Sequence, residues 1–220
     1  MTPNLNLETS VSLWSADLAR LADEVKRADP HANMYHIDVS DGSYADGVML
    51  FFPDLVAAIR RETERPLEVH LIMRNPESWL DAFADAGADI ILFYPDTTDD
   101  IGGMLDRIEQ RGIKPGISLA IEHPVERIED YLHRLEIVCV LGTGFDVKGI
   151  DDVAEGTCEK IEQLVTIREK AKHSYRIESD GAIRWHTVPK LRKAGTDVIV
   201  PGSLMFKEDM NEVTAWLKTL

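Results

Sequence analysis

The chain has 220 residues, 44% apolar and 29% charged, the proportions of a water-soluble folded protein with room for a full-sized core. Its formal net charge of -15 excludes general nucleic-acid binding, because a phosphate backbone requires a basic face. No apolar run approaches membrane-spanning length, and the start, Met1-Thr2-Pro3-Asn4-Leu5-Asn6, lacks the basic and apolar regions of a signal peptide; a cytoplasmic protein with no membrane partner is expected.

Short apolar runs alternate with longer amphipathic ones along the chain. Thr9–Leu13 reads as a strand, followed by Leu18, Leu21, Ala22 and Val25 at helical spacing. Met34–Val39 reads as the second strand. Residues two apart on a strand share a face, so His36 and Asp38 point one way while Ile37 and Val39 point the other. A helix follows through Leu55, Val56 and Ile59, then a third strand, Leu67–Leu71, on which Glu68, His70 and Ile72 share a face. Asn75-Pro76 opens the next helix (Trp79, Leu80, Phe83, Ala84), with Asn75 as a candidate cap. Ile90–Phe93 precedes a helix through Met104, Leu105 and Ile108, in front of which Thr97-Thr98-Asp99-Asp100 reads as a loop and cap. Lys114–Leu119 precedes one through Val125, Ile128, Tyr131 and Leu132, where His123 stands before Pro124. Ile137–Leu141 is followed by Ile161, Leu164 and Val165, and Tyr175–Ser179 by Val188, Leu191 and Ala194. Val198–Val200 is followed by Val213, Trp216 and Leu217. Cys139 and Cys158 have no C-x-x-C spacing and read as reduced thiols.

Gly87, Gly112 and Gly195 stand where helices close before the next apolar run. Eight strands alternating with eight helices predict a single closed (β/α)8 TIM barrel over residues 1–220. The main rival, a doubly wound open sheet, is weakened because no G-x-G-x-x-G follows the first strand.

A barrel of this kind builds its active site at the C-terminal ends of its strands. Ser15, His36, Asp38, His70, Asp180-Gly181 and Gly202-Ser203 all fall there. His36 and Asp38 alone also read as a satisfied core pair. With His70 and Asp180 they form a four-ligand set for one divalent transition metal (Zn, Fe, Mn or Co), since calcium prefers all-oxygen ligation. H-x-D with a distant histidine is also the facial triad of non-haem iron oxygenases, which sit mostly on all-β folds.

In motif order and over nearly its whole length, the chain resembles the ribulose-phosphate 3-epimerase family. Ser15-Ala16-Asp17 resembles the family's S-A-D-F, and His36-Ile37-Asp38-Val39-Ser40-Asp41-Gly42 its H-x-D-x-x-D-G. Glu68-Val69-His70-Leu71 with Asn75-Pro76 resembles D-V-H-L-M-x-x-N-P. Ala86-Gly87-Ala88-Asp89, Glu178-Ser179-Asp180-Gly181 and Gly202-Ser203 have counterparts as well. The resemblance implies a TIM barrel that inverts carbon three of a ketose phosphate through a cis-enediolate, stabilised by one divalent metal at His36, Asp38, His70 and Asp180. Asp38 and Asp180 would be general base and acid on opposite sides of the substrate, and Ser15 would orient the region by hydrogen bonding. Ser15, His70, Gly144, Gly181, Ala182, Gly202 and Ser203 would contact the sugar phosphate. Family members are usually homo-oligomers, dimers or hexamers.

The departures from the family are concentrated around the substrate. Its N-P-G-F-G-G-Q phosphate loop is Gly142-Thr143-Gly144-Phe145-Asp146-Val147-Lys148-Gly149 here, with a carboxylate at Asp146, a stiff residue at Val147 and a compensating cation at Lys148. Three methionines at the family's mouth are Ser40, Ile72 and Cys139; a histidine is Ser43; an H-x-E is Tyr94-Pro95-Asp96. D-G-G becomes Asp180-Gly181-Ala182. These changes predict the same proton chemistry on a different ketose, such as another sugar phosphate, with ribulose 5-phosphate and xylulose 5-phosphate as the other choice. The alternatives are a related-barrel phosphosugar lyase or decarboxylase, whose D-x-K-x-x-D lysine is missing here, and a non-catalytic sugar-phosphate-binding barrel. Trp14 and Trp185 flank site-bearing loops and are expected to shape the pocket.

Overall fold

The computed structural model describes residues 6–45, 48–50, 52–144 and 150–220. Eight parallel strands close on themselves: β1 (Glu8–Ser12), β2 (Met34–Asp41), β4 (Leu67–Ile72), β5 (Ile90–Phe93), β6 (Lys114–Leu119), β7 (Ile137–Leu141), β8 (Arg176–Asp180) and β9 (Val198–Ile199). Closure comes from β1, which pairs with both β2 and β9. The helices are α1 (Leu21–Ala28), α2 (Pro53–Arg60), α3 (Leu80–Asp85), α4 (Ile101–Gln110), α5 (Thr157–Ala171), α6 (Val188–Ala194), α7 (Ser203–Phe206) and α8 (Met210–Leu217). This is the (β/α)8 TIM barrel that the alternation predicts.

Strand alternation sorts the apolar side chains into two layers. Tyr35, Ile37 and Val39 of β2 join Leu67, Val69 and Leu71 of β4 and Ile91 and Phe93 of β5 in the layer between strands and helices. Ile72, Leu92, Cys139 and Leu141 fill the barrel interior instead. Each large side chain buried in this way contributes about 1.5–3 kcal/mol, so a slip of one residue in register would turn a whole apolar set the wrong way. That constraint holds the polar set of β2 and β4 inward: the register places Ser12 beside His36, His36 beside Glu68, and Asp38 beside His70.

The helix boundaries follow local chemistry. Pro53 occupies the first turn of α2, Asp100 caps α4 by accepting from Gly103 N–H at 2.9 Å, and Asp209 caps α8. Gly87, Gly112 and Gly195 close helices with positive φ. Asn75 differs from the expectation: it stands before the Pro76–Ser78 turn in a left-handed conformation, with no side-chain cap bond. Val125–Arg134 is a 3-10 helix, in keeping with the three-residue spacing of Val125, Ile128 and Tyr131. A short strand, β3 (Val48–Leu50), pairs antiparallel with the end of β2 and extends it to Asp41. The strand expected to start at Tyr175 begins at Arg176, while Tyr175 donates its hydroxyl to Leu164 C=O at 2.6 Å.

Candidate active site

The inward residues of β2, β4 and β8 meet at the C-terminal mouth. The four donors of His36, Asp38, His70 and Asp180 lie within 4.8 Å of one another. His36 Nε2 is 3.1 Å from His70 Nδ1, 3.2 Å from Asp38 Oδ1 and 3.9 Å from Asp180 Oδ2. His70 Nδ1 is 3.6 Å from Asp38 Oδ1. Three of these side chains are buried, and Asp180, the last residue of β8, is 19% exposed.

The hydrogen bonds around the cluster fix its polarity. His36 Nδ1 is 2.6 Å from Glu68 Oε1, an acceptor that also receives the Ser10 hydroxyl at 3.0 Å. The Nδ1 therefore carries a proton, and Nε2 faces Asp38 and Asp180. Ser12 Oγ donates to Asp38 Oδ2 at 2.9 Å, leaving Oδ1 directed at the two imidazoles. Two ring nitrogens and two carboxylates thus converge, an arrangement that is costly unless a cation or shared protons balance it. Two nitrogens and two oxygens at this spacing suit a divalent transition metal, and the residues fit one.

Among the side chains alone, the electrostatics separate the carboxyls. Burial favours the neutral acid at Asp38, but His36 and His70 outweigh it and hold Asp38 well below the usual carboxylate range. At Asp180 burial, reinforced by the Asp38 charge, prevails over His36 and raises the carboxyl. Burial opposes the charged form of His36 too, yet Asp38 and Glu68 raise it well above its ordinary value. Below the mouth, burial and then Glu68 push Glu178 well above the usual range.

A cavity of about 460 Å³ opens over this cluster. Ser15, Asp38, His70, Gly144, Asp180, Gly181, Ala182, Gly202 and Ser203 all line it, while His36 lies beneath. Ile72 and Trp14 contribute to its wall. Trp185 does not: it packs on Trp216, with ring centroids 4.5 Å apart, and so shapes the outer face rather than the pocket. The hydroxyl that reaches Asp38 is that of Ser12, because β1 pairs in register with β2 and places Ser12 inward. Ser15 packs against Gly202, where a Cβ would stand 2.7 Å from Ser15 Oγ. Asp146, Val147 and Lys148 lie outside the described residues.

Four polar side chains of the lining were not singled out from the sequence: Ser12, Thr143, Arg184 and Lys207. Alternation from Ser10 along β1 was the available signal for Ser12. Arg184, three residues past Gly181, was a basic residue in a site loop of a strongly acidic chain. Tyr94, where the family has histidine, lays its ring against His70 at 5.2 Å. Asp96, at that family's glutamate position, accepts from Tyr44 OH at 2.8 Å and faces His123 Nε2 at 3.3 Å.

Fold and cluster together define a (β/α)8 barrel with a metal-ligand type of mouth. Known proteins narrow the class. Residues 8–206 match the Ribulose-phosphate 3 epimerase family. Ribulose-phosphate 3-epimerase of Bacillus subtilis is 31% identical over 204 residues, covering 91% of this chain and 92% of the relative. That of Treponema pallidum is 32% identical over 196 residues, covering 89% of each. Among solved structures, a tryptophan synthase alpha-subunit mutant from Pyrococcus furiosus matches with TM-score 0.66 at 16% identity, over 100% of this chain and 97% of that one. Orotidine 5'-phosphate decarboxylase from Pyrococcus horikoshii does so with TM-score 0.66 at 14% identity, over 96% and 97%. Those two likenesses speak for the fold alone. The chain belongs to the ribulose-phosphate 3-epimerase family, and it is an enzyme of the carbohydrate epimerase class. No helix among the described residues is long and apolar enough to cross a membrane.

Proposed function

We propose that this barrel inverts carbon three of a ketose phosphate, ribulose 5-phosphate and xylulose 5-phosphate or a related sugar phosphate, with Asp38 and Asp180 as the proton carriers. The observation that carries the reading is the pair of carboxylates on separate strands, β2 and β8, meeting two imidazoles at the floor of one cavity. Inversion at a carbon next to a carbonyl requires a proton to leave one face and another to arrive on the opposite face. A single residue cannot serve both faces without turning the substrate. Two carboxyls on different strands can.

In this reading one aspartate takes the carbon-three proton while the other delivers its own, leaving each carboxyl in the other's starting state for the return reaction. The intermediate between the two transfers is a cis-enediolate. His36, His70 and the two aspartates would hold one divalent metal, Zn, Fe, Mn or Co. When bound, it supplies Lewis-acid charge next to the oxygens on which negative charge develops. Ser12 fixes the Asp38 carboxylate through its hydrogen bond. Ile72 and Trp14 give the cavity apolar wall that limits water at the reacting carbon. Gly144, Gly181, Ala182, Gly202 and Ser203 line the end that would take the phosphate, and Ser15 sets the approach of the Gly202 turn. The reading also takes from the family resemblance a cytoplasmic enzyme acting as a dimer or hexamer, which sedimentation of the purified protein would check.

The test is hydrogen exchange in heavy water. Metal-loaded protein is incubated with ribulose 5-phosphate and a panel of four- to six-carbon ketose phosphates, and carbon three is followed by NMR. Deuterium at carbon three with accumulation of the epimer is the expected result. No exchange on any member of the panel, with metal content verified by elemental analysis, would overturn the reading in favour of a binding role or an unphosphorylated ketose.

A further inference from the structure

The cavity over the aspartates also carries positive charge, in a chain whose net charge is -15. Arg184, in the loop after β8, and Lys207, at the end of α7, both line it. Elsewhere on the molecule the guanidinium groups of Arg60, Arg134, Arg168 and Arg176 each meet a carboxylate. Neither Arg184 nor Lys207 has such an ion pair among the described residues.

What holds Arg184 is uncharged. Its Nη1 donates to Ile183 C=O at 3.0 Å and to Ser203 Oγ at 3.4 Å, and its Nη2 donates to Ile150 C=O at 3.1 Å. Three of the five N–H donors are thereby used to fix the plane of the group, and none of the three acceptors cancels its charge. The result is a braced guanidinium beside the main chain of Gly181, Ala182 and Gly202, on a site whose residues come from the loops after β8 and β9. A fixed guanidinium matches oxyanions through paired donors, whereas a lysine supplies a mobile point charge.

We propose that Arg184, with Lys207 as the second charge, is the specificity-determining cation for the phosphate end of the substrate. A carboxylate has two oxygens and one charge, which a guanidinium fork satisfies alone. A phosphomonoester has three terminal oxygens and a charge approaching two, and it calls for cations from two loops as well as main-chain donors. As a statement about the ketose the inference rests on the epimerase reading; as a statement about anion binding it stands apart from it.

The experiment titrates metal-loaded protein with inorganic phosphate, and separately with acetate, by calorimetry. Wild type is expected to bind phosphate and to bind acetate far more weakly. Arg184→Gln should weaken phosphate about 10- to 100-fold, the worth of charge-assisted hydrogen bonds. Arg184→Lys should fall between wild type and Arg184→Gln. Lys207→Gln should weaken phosphate by a smaller factor, and because Lys207 is exposed its variant keeps the fold. Circular dichroism checks each protein, and if Arg184→Gln does not fold, Arg184→Lys and Lys207→Gln decide. Equal phosphate affinity in wild type and the folded variants would overturn the proposal, as would no phosphate binding by wild type or acetate binding as tight as phosphate. With a ketose phosphate that turns over, Arg184→Gln should raise KM at least about 10-fold with a smaller change in kcat. If no ketose phosphate exchanges its carbon-three hydrogen, the epimerase reading fails while the phosphate titration still decides the role of Arg184.

Discussion

His36 and Glu68 stand opposite each other on β2 and β4, and the ring gives its Nδ1 proton to the carboxylate across 2.6 Å. That bond turns the Nε2 edge of the ring toward His70, Asp38 and Asp180. Glu68 is in turn held by the Ser10 hydroxyl. The barrel thus orients a candidate ligand from one layer beneath it.

Replacing Glu68 with Ala should leave the strands in place and loosen the His36 ring. An outer carboxylate of this type is worth about 10- to 100-fold in metal affinity. Competition of Zn or Co against a chromophoric chelator measures it directly. Glu68→Gln, which keeps an acceptor for the ring, should lose less. Affinity unchanged in both variants would mean that strand packing alone sets the ring.

Asp38→Asn and Asp180→Asn separate the two proton transfers. Each should lower epimer formation by at least about 10²- to 10⁴-fold, the usual contribution of a positioned acid or base. The finer expectation concerns exchange. With one carboxyl gone, the epimer whose proton faces the surviving aspartate should still exchange that hydrogen with solvent, slowly and without inverting. The other epimer should not. Exchange of both epimers at equal rates in either variant would remove that aspartate from the reaction.

Much of this arrangement could be read from the sequence, because two-residue alternation decides which side chains enter a barrel. His36 and Asp38, and Glu68 and His70, could be paired on a face without coordinates. What alternation does not supply is register. That His36 meets Glu68, and that Ser12 reaches Asp38, depends on how neighbouring strands are offset. Short elements were also illegible: α7 has four residues, about a single turn with no repeat to read, and β3 has three, too few for a convincing alternation. Arg184 escaped because a basic residue in a site loop does not by itself reveal where its side chain is braced. Its braces come from Ile150 and Ser203, remote in sequence.

Gly181 and Ala182 predict stability changes of opposite sign. Ala182 has φ of 52° in a turn where the family has glycine, and Thr187 Oγ1 pins its carbonyl at 2.6 Å. A left-handed alanine costs about 1–2 kcal/mol, and glycine recovers that less its own entropy of about 0.5–1 kcal/mol. Ala182→Gly should therefore stabilise by about 0.5–1 kcal/mol, raising Tm by about 1–4 °C in a chain of this size. Gly181, with φ of 89°, has no such latitude: a Cβ there would lie 2.5 Å from Thr143 Oγ1. Gly181→Ala should lower Tm. A scanning calorimeter reads both, and shifts of the same sign would show that the turn relaxes around either residue.

His123 sets a pH dependence away from the cluster. Its Nδ1 accepts the Ala120 N–H at 3.2 Å, so the neutral ring carries its proton on Nε2, toward Asp96. Burial lowers its pKa below the ordinary 6.5; Asp96 and Glu122 oppose the shift without cancelling it, and Arg127 adds to it. Tyr44 occupies the same Asp96 oxygen and blunts that carboxylate's pull. The folded state therefore binds this proton less readily than the unfolded chain. As pH falls below 6.5 the unfolded state is protonated first, and stability drains until the native pKa is passed, after which the loss is constant. Urea unfolding at intervals from about pH 7 to pH 5 should show wild type losing more stability across the window than His123→Asn. The difference between the two proteins isolates this residue from His36 and His70, which both retain. A variant whose stability falls as steeply as that of wild type would show that protonated His123 is as well accommodated in the fold as in the unfolded chain.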